Sequence, residues 1–232
     1  MKTNICAIIL AGGVGSRMRS DVPKQRLVLD GKTLLYRCVE TFENCDAITS
    51  IIVVSKKEEI EYLVTELSSL KKVKGIVCGG KTRAESASLG FAAIDFECDF
   101  VAIHDAARCL VTEKIIKSVS LDAEVYGAAT ASTIVSDTVK KVDQNKVVST
   151  VNRDELRLMQ TPQIFEYNLY KKALASVSVF DDTITDDNSL LERLDFPVHC
   201  TETGKYNIKV TVPEDIEYAK FLLFGGYLNA KN

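Results

Sequence analysis

Six consecutive apolar residues, Ile5-Cys6-Ala7-Ile8-Ile9-Leu10, run straight into Ala11-Gly12-Gly13-Val14-Gly15. The run is too short to cross a membrane and lacks a signal-peptide cleavage pattern. It reads as a buried strand that ends at a glycine turn. The same kind of run recurs at Ser50–Ser55, Val73–Cys78, Phe100–His104 and Tyr126–Ala131. Each is largely apolar on both faces, as parallel strands covered by helices must be. Between them lie amphipathic segments of helical length, Leu34–Asn44, Lys57–Leu70, Arg83–Ala93 and Glu113–Leu121. The second puts Ile60, Leu63, Val64, Leu67 and Leu70 at three- and four-residue spacing. This alternation predicts an α/β fold: a doubly wound, mostly parallel sheet with right-handed crossovers.

The rhythm breaks after residue 131. Ile134–Val142 and Lys146–Val151 are β-rich and flank a turn at Asp143-Gln144-Asn145. They predict a protruding β-hairpin arm over 134–156. A lone hairpin buries too little to be stable, so the arm must lie on its own domain or on a second subunit. Helices are expected again at Tyr167–Ala175 and Asp187–Leu194, with a strand near Val198–Thr203. A last helix starts at Pro213, with Glu214 and Asp215 complementing its dipole and Gly225 stopping it. With 232 residues, the chain reads as one domain, 1–232, carrying the arm as an insertion.

Composition removes several function classes. The net charge is −3, without the basic surface that long nucleic acid requires. Seven cysteines without a Cys-x-x-Cys pair predict free thiols in a reducing cytoplasm. Two histidines argue against a multi-histidine metal site.

The strongest chemical signal is the loop after the first strand, followed by Ser16-Arg17-Met18 and then Pro23-Lys24-Gln25. Three glycines in four positions let backbone N–H groups approach a phosphate chain closely. Arg17 and Lys24 add charge. A Rossmann fingerprint would need glycine where Met18 stands, and an acidic residue where Ser55-Lys56 ends the second run. A P-loop would need Gly-Lys-Ser/Thr, which is absent. Asp105 follows the Phe100–His104 run, at the sheet edge where ligands bind in open α/β folds. One carboxylate there suits Mg²⁺ or another divalent cation shared with phosphates, and Arg108 adds an anion contact. The plainer reading is an Asp–Arg pair closing a loop; the phosphate loop favours metal and substrate. His104 reads as a packed or hydrogen-bonded strand end. Gly79-Gly80-Lys81-Thr82-Arg83-Ala84-Glu85-Ser86 brings a glycine pair to a helix start, where capping by Thr82 is the simpler account.

Taken in order, Ala11-Gly12-Gly13-Val14-Gly15-Ser16-Arg17-Met18, Pro23-Lys24-Gln25, Gly79-Gly80 with Arg83 and Ser86, His104-Asp105-Ala106-Ala107-Arg108, Asp137-Thr138 with Lys140, Asn152-Arg153, Gln160-Thr161-Pro162-Gln163, Thr185-Asp186-Asp187 and Asn207-Ile208-Lys209 resemble the polyol-phosphate cytidylyltransferases. The closest likeness is to the 2-C-methyl-D-erythritol 4-phosphate branch of the non-mevalonate isoprenoid pathway. The resemblance spans about Ile8 to Leu223. It implies a glycosyltransferase-A-like nucleotidyltransferase fold and a homodimer with exchanged arms. Ala11, Gly12, Gly13, Gly15, Gly80 and Ser86 would hold CTP. Arg17, Lys24 and Lys209 would surround its phosphates, and Asp105 would bind the metal. Thr138 and Arg153 would reach the neighbouring subunit's site and hold the sugar phosphate with Arg108, Thr161, Thr185 and Lys209. Ala-Gly-Gly at the first motif also suits the sister ribitol-5-phosphate enzymes, whereas Ala106-Ala107 favours the methylerythritol branch. Arg26, Cys109, Asn188 and Tyr206 depart from the family's usual residues.

The expected reaction is attack of a sugar-alcohol phosphate on the α-phosphorus of CTP with loss of pyrophosphate. That nucleophile is already an anion at neutral pH, so no general base is required. The rivals are ribitol 5-phosphate as acceptor, an NAD-dependent oxidoreductase, and a nucleotide sensor without chemistry.

Overall fold

The computed structural model describes residues 3–13, 18, 22–180 and 183–228. In chain order the elements are β1 (Ile5–Leu10), β2 (Val28–Leu29), β3 (Lys32–Thr33), α1 (Leu34–Asn44), β4 (Ser50–Ser55), α2 (Ile60–Glu66), β5 (Val73–Cys78), α3 (Arg83–Ala92), β6 (Phe100–Asp105), α4 (Glu113–Tyr126), β7 (Ala128–Ile134), β8 (Val139–Asp143), β9 (Lys146–Val151), β10 (Arg157–Glu166), α5 (Tyr167–Ala175), α6 (Asn188–Glu192), β11 (His199–Glu202) and α7 (Pro213–Phe224). Seven strands form one sheet in the order β11-β7-β10-β6-β1-β4-β5. All run the same way except β10, which is antiparallel to both β6 and β7.

Strand alternation sorts the apolar side chains onto two faces. Ile5, Ala7 and Ile9 of β1 join Ile51 and Val53 of β4 in one core, with Leu34, Leu35 and Phe42 of α1. Cys6, Ile8, Ile52 and Val54 point the other way, into a core shared with α3, α5 and α6. Helices on both faces explain why these runs read as continuously apolar. At Gly90 the α3 backbone packs so closely on the sheet that a Cβ would come within 2.5 Å of Ile8 Cγ2.

Several elements differ from the sequence expectation, each for a physical reason. The Lys57–Leu70 segment opens as a 3-10 turn over Lys57–Glu59 and is α-helical only to Glu66. Leu63 and Leu67 are buried there, but Val64 faces solvent. α4 continues past Leu121 to Tyr126 and stops at Gly127, whose φ of 80° supplies the left-handed cap. β7 accordingly starts at Ala128 rather than Tyr126. The ten-residue β10 was not expected at all. Pro162 and the polar run Gln160–Gln163 hide it in the sequence, because proline is confined to edges and bulges. It sits at a register shift between Met159 and Gln163.

The hairpin is present as β8 and β9, paired antiparallel in a sheet of their own. Residues 135–138, expected within its first strand, lie outside it. Gln144 and Asn145 take φ of 42° and 63°, the left-handed pair that a two-residue hairpin turn favours. Residues 140–150 are all exposed, including Val142, Val147 and Val148.

Candidate active-site cleft

Three parallel strand ends build one cleft. Beyond β1, the Ala11 amide donates to the Val54 carbonyl of β4 (2.7 Å), and beyond β5 the Gly79 amide donates to the Ser55 carbonyl (2.8 Å). β6 delivers Asp105 beside them. The cleft has a volume of about 380 Å³, and its walls include Ala11, Gly12, Gly13, Lys24, Gly80, Lys81, Arg83, Ser86, Asp105 and Lys209. A Cβ on Gly13 would meet nothing within 4 Å, so its backbone borders open space. Eight of the residues expected at the site therefore meet here. Gly15 and Arg17 lie outside the described residues.

Asp105 is the electrostatic centre. Oδ1 accepts from Arg83 Nε at 3.0 Å and Oδ2 from Lys209 Nζ at 2.7 Å. Burial by itself pushes the carboxyl up; Arg83 and Lys209 outweigh it and hold it well below the usual range. The carboxylate is ionised, and it has cations on both sides. Arg108, which the plainer reading would pair with Asp105, is engaged elsewhere: its Nη1 donates to the Asn207 carbonyl (2.8 Å). That contact ties the β6 loop to the segment carrying Lys209.

Below the cleft, Thr161 and His104 set the strand end. The Asp105 amide donates to Thr161 Oγ1 (3.0 Å), which lies 3.0 Å from His104 Nδ1. His104 Nε2 is 3.3 Å from the Arg108 carbonyl. A carbonyl only accepts, so Nε2 carries the proton and Nδ1 accepts from the threonine hydroxyl. His104 is fully buried, and burial pushes its pKa down to about 3. It is a neutral packing residue, as expected. Thr161 lies behind Asp105, outside the cleft wall.

At the second glycine loop the Gly80 amide donates to Ser86 Oγ (3.1 Å), and that hydroxyl donates to the Thr82 carbonyl (2.8 Å). Ser86 thus shapes the loop that borders the cleft. Thr82 caps α3, its hydroxyl accepting from the Glu85 amide (3.1 Å). The Lys24 turn is clasped from outside. Arg26 Nε binds Glu59 Oε2 (2.7 Å), and its guanidinium lies 3.8 Å from the centre of the Tyr62 ring.

Thr138, Arg153 and Thr185 are exposed and do not line the cleft. Arg153 instead closes the base of the arm, Nη1 donating to the Ser136 carbonyl (2.6 Å). Sequence reasoning gave no catalytic or binding role to Arg83, Asp187 or Tyr170, which form a chain from the cleft wall into the interior. Arg83 Nη1 meets Asp187 Oδ2, and Tyr170 donates to Asp187 Oδ1, both at 2.6 Å. One signal was available: a cation in a first helical turn opposes the helix dipole, so Arg83 needed a carboxylate partner.

The model of the 2-C-methyl-D-erythritol 4-phosphate cytidylyltransferase (IspD) family matches residues 5–224. The chain belongs to this family. A relative of that name from Clostridium perfringens is 39% identical over 219 residues, covering 93% of this chain and 97% of its own. One from Caldanaerobacter subterraneus is 39% identical over 224 residues, covering 95% and 99%. Among solved structures, the 4-diphosphocytidyl-2C-methyl-D-erythritol synthase of Anaerococcus prevotii superposes with a TM-score of 0.83 at 28% identity, covering 96% of each chain. The Francisella tularensis cytidylyltransferase gives 0.75 at 29% identity, covering 94% of this chain and 99% of its own. The chain is thus an IspD-family cytidylyltransferase with a nucleotidyltransferase fold. Among the described residues no helix is long and apolar enough to cross a membrane.

Proposed function

We propose that the enzyme transfers the cytidylyl group of CTP to 2-C-methyl-D-erythritol 4-phosphate, giving 4-diphosphocytidyl-2-C-methyl-D-erythritol and pyrophosphate. The observation that carries this reading is the cleft at the glycine loops, where Arg83 and Lys209 flank one ionised carboxylate and Lys24 and Lys81 add cations to the walls. Such a site favours a polyanion. A phosphate oxygen of the acceptor attacks the α-phosphorus, and the bond from that phosphorus to the bridging oxygen breaks as pyrophosphate leaves. The barrier is charge repulsion and alignment, which fixed cations reduce.

The backbone at Ala11, Gly12, Gly13, Gly15 and Gly80 would hold the nucleotide on the loop that Ser86 shapes. Arg17, Lys24 and Lys209 would stabilise its phosphates. Arg108 and Thr185, with Lys209, would serve the acceptor, as would Thr138 and Arg153 from a neighbouring subunit, while Thr161, buried behind Asp105, would act only by holding that strand end. The donor set fits Mg²⁺ or another divalent cation. Each Asp105 oxygen has two acceptor positions and gives one to a protein cation. One carboxylate completed by phosphate oxygens and water is a magnesium pattern. When bound, the ion would neutralise phosphate charge. Among the described residues no group of three or more His, Cys, Asp or Glu could hold a metal unaided.

In this reading the chain is one domain over 1–232 that works as a homodimer, and the arm (134–156) docks on a second copy. The solvent-facing Val142, Val147 and Val148 support it, because a two-stranded hairpin is marginal alone. Seven unpaired cysteines support a cytoplasmic setting. The test is pyrophosphate release with CTP, Mg²⁺ and a panel of methylerythritol, erythritol and ribitol phosphates. Turnover restricted to methylerythritol phosphate is expected; preference for ribitol 5-phosphate would reassign the acceptor.

A further inference from the structure

Tyr170 is fully buried on α5. Its ring stacks on Phe165 (5.2 Å between centres, 6° between planes) and meets Phe91 edge-on at 5.4 Å. A phenylalanine would pack there equally well, so the hydroxyl needs its own account. It donates to Asp187 Oδ1, whose other oxygen binds Arg83, which in turn binds Asp105. The Asp187 side chain has no solvent exposure. A buried carboxylate must have its acceptor positions filled by protein, and here the partners come from α5 and α3.

Two residues before Asp187 is the exposed Thr185. The rest of the turn is held from the sheet: Gln163 accepts from the Asp187 amide (2.9 Å) and donates to Asp186 Oδ2 (2.8 Å). The Asp187 side chain links this turn, through Arg83, to the carboxylate in the cleft. Without the Tyr170 hydroxyl on Oδ1, the Asp187 carboxylate would be held by Arg83 at Oδ2 alone and free to pivot about that contact. We propose that Tyr170 is a positioning residue for the acceptor: through Asp187 and Arg83, its hydroxyl holds the Thr185–Asp187 turn at a set distance from Asp105.

This inference rests on the reading that Thr185 meets the polyol phosphate. Tyr170→Phe keeps the ring and deletes one hydrogen bond to a charged group. That is worth about one order of magnitude in affinity. The KM for the polyol phosphate should rise about tenfold, while the KM for CTP stays within about twofold. A parallel rise in both constants, or no change in either, would overturn the proposal. Asp187→Asn combined with Tyr170→Phe should cost less than the two separate effects together, since both act through one link; full additivity would count against it. Hydrogen exchange gives a readout independent of catalysis. In Tyr170→Phe, exchange at residues 183–188 should quicken while α5 is unchanged, and unaltered exchange at 183–188 would overturn the idea. If the wild-type protein turns over no polyol phosphate, the functional reading fails, and the exchange result alone decides the role of Tyr170.

Discussion

Lys209 Nζ lies 2.7 Å from Asp105 Oδ2, across 104 positions of sequence. The contact closes the cleft between the β6 end and the segment leading to α7. Lys209 is 41% exposed at its side chain, while Asp105 is 11% exposed, so the pair presents its cation to the cleft and its carboxylate to the protein.

Replacing Lys209 by methionine should therefore harm chemistry more than folding. Asp105 keeps its contact with Arg83, and a pair whose cation is exposed adds about 1 kcal/mol, whereas losing a cation at developing phosphate charge costs about 10²–10³ in rate. Pyrophosphate release beside a thermal melt checks this. Turnover within threefold of wild type would remove Lys209 from the proposed phosphate contacts.

Arg83 behaves differently, because it neutralises two carboxylates, one of them without solvent contact. Arg83→Leu strands Asp187 in the interior. Removing one partner of a buried pair costs about 3–5 kcal/mol. A urea denaturation midpoint should drop accordingly, and an unchanged midpoint would show that Asp187 finds another partner.

The contrast between these residues shows what was legible in the sequence. Asp105 stood at the end of an apolar run and could be placed at the sheet edge from the residues, whereas Lys209 could be placed at the phosphates only through its recognisable Asn-Ile-Lys motif. Tyr170 lies on a helix whose limits were foreseen to the residue, yet its hydroxyl partner is 17 positions away, and no local pattern encodes that pairing. The same holds for β10. Its middle is polar because Gln163 and Thr161 are satisfied by buried neighbours, which makes an interior strand look like a loop. By contrast β1 and β4 were legible because, buried on both faces, their side chains need little more than to be apolar.

The burial of His104 sets a pH dependence. Its pKa is pushed down to about 3 in the fold, against 6.5 in the unfolded chain. Above 6.5 both states are neutral there and stability is unaffected. As pH falls from 6.5 toward 3, the unfolded chain takes up a proton that the folded chain refuses, so stability falls. Asp105, held below 3.8, adds a further loss once pH drops below that value. His104→Gln should flatten the stability curve between pH 6 and 4, by up to about 1.4 kcal/mol per pH unit. A curve parallel to wild type would show that another group titrates there.

The proposed sharing of each site between two subunits predicts complementation. Lys24→Ala and Arg153→Ala should each be inactive, yet a mixture should regain activity through heterodimers carrying one intact site. Recovery is measured as pyrophosphate release after subunit exchange has been verified by native mass spectrometry. Continued inactivity after exchange would argue that each cleft works with its own Arg153. Serine at Val142 and Val147 should shift sedimentation toward the monomer.

The position of β10 has a consequence for the newborn chain. β6 and β7 are each hydrogen-bonded to it on one side and never to each other. A ribosome that has delivered everything up to β9 has therefore released a four-stranded sheet, β6-β1-β4-β5, and a lone β7 with no seam between them, and the hairpin is already outside. Joining waits for Arg157–Glu166, and the same stretch brings Thr161 under Asp105. The sheet gains its seam at β10 and its edge at β11, and the cleft closes last, when Lys209 emerges and reaches Asp105.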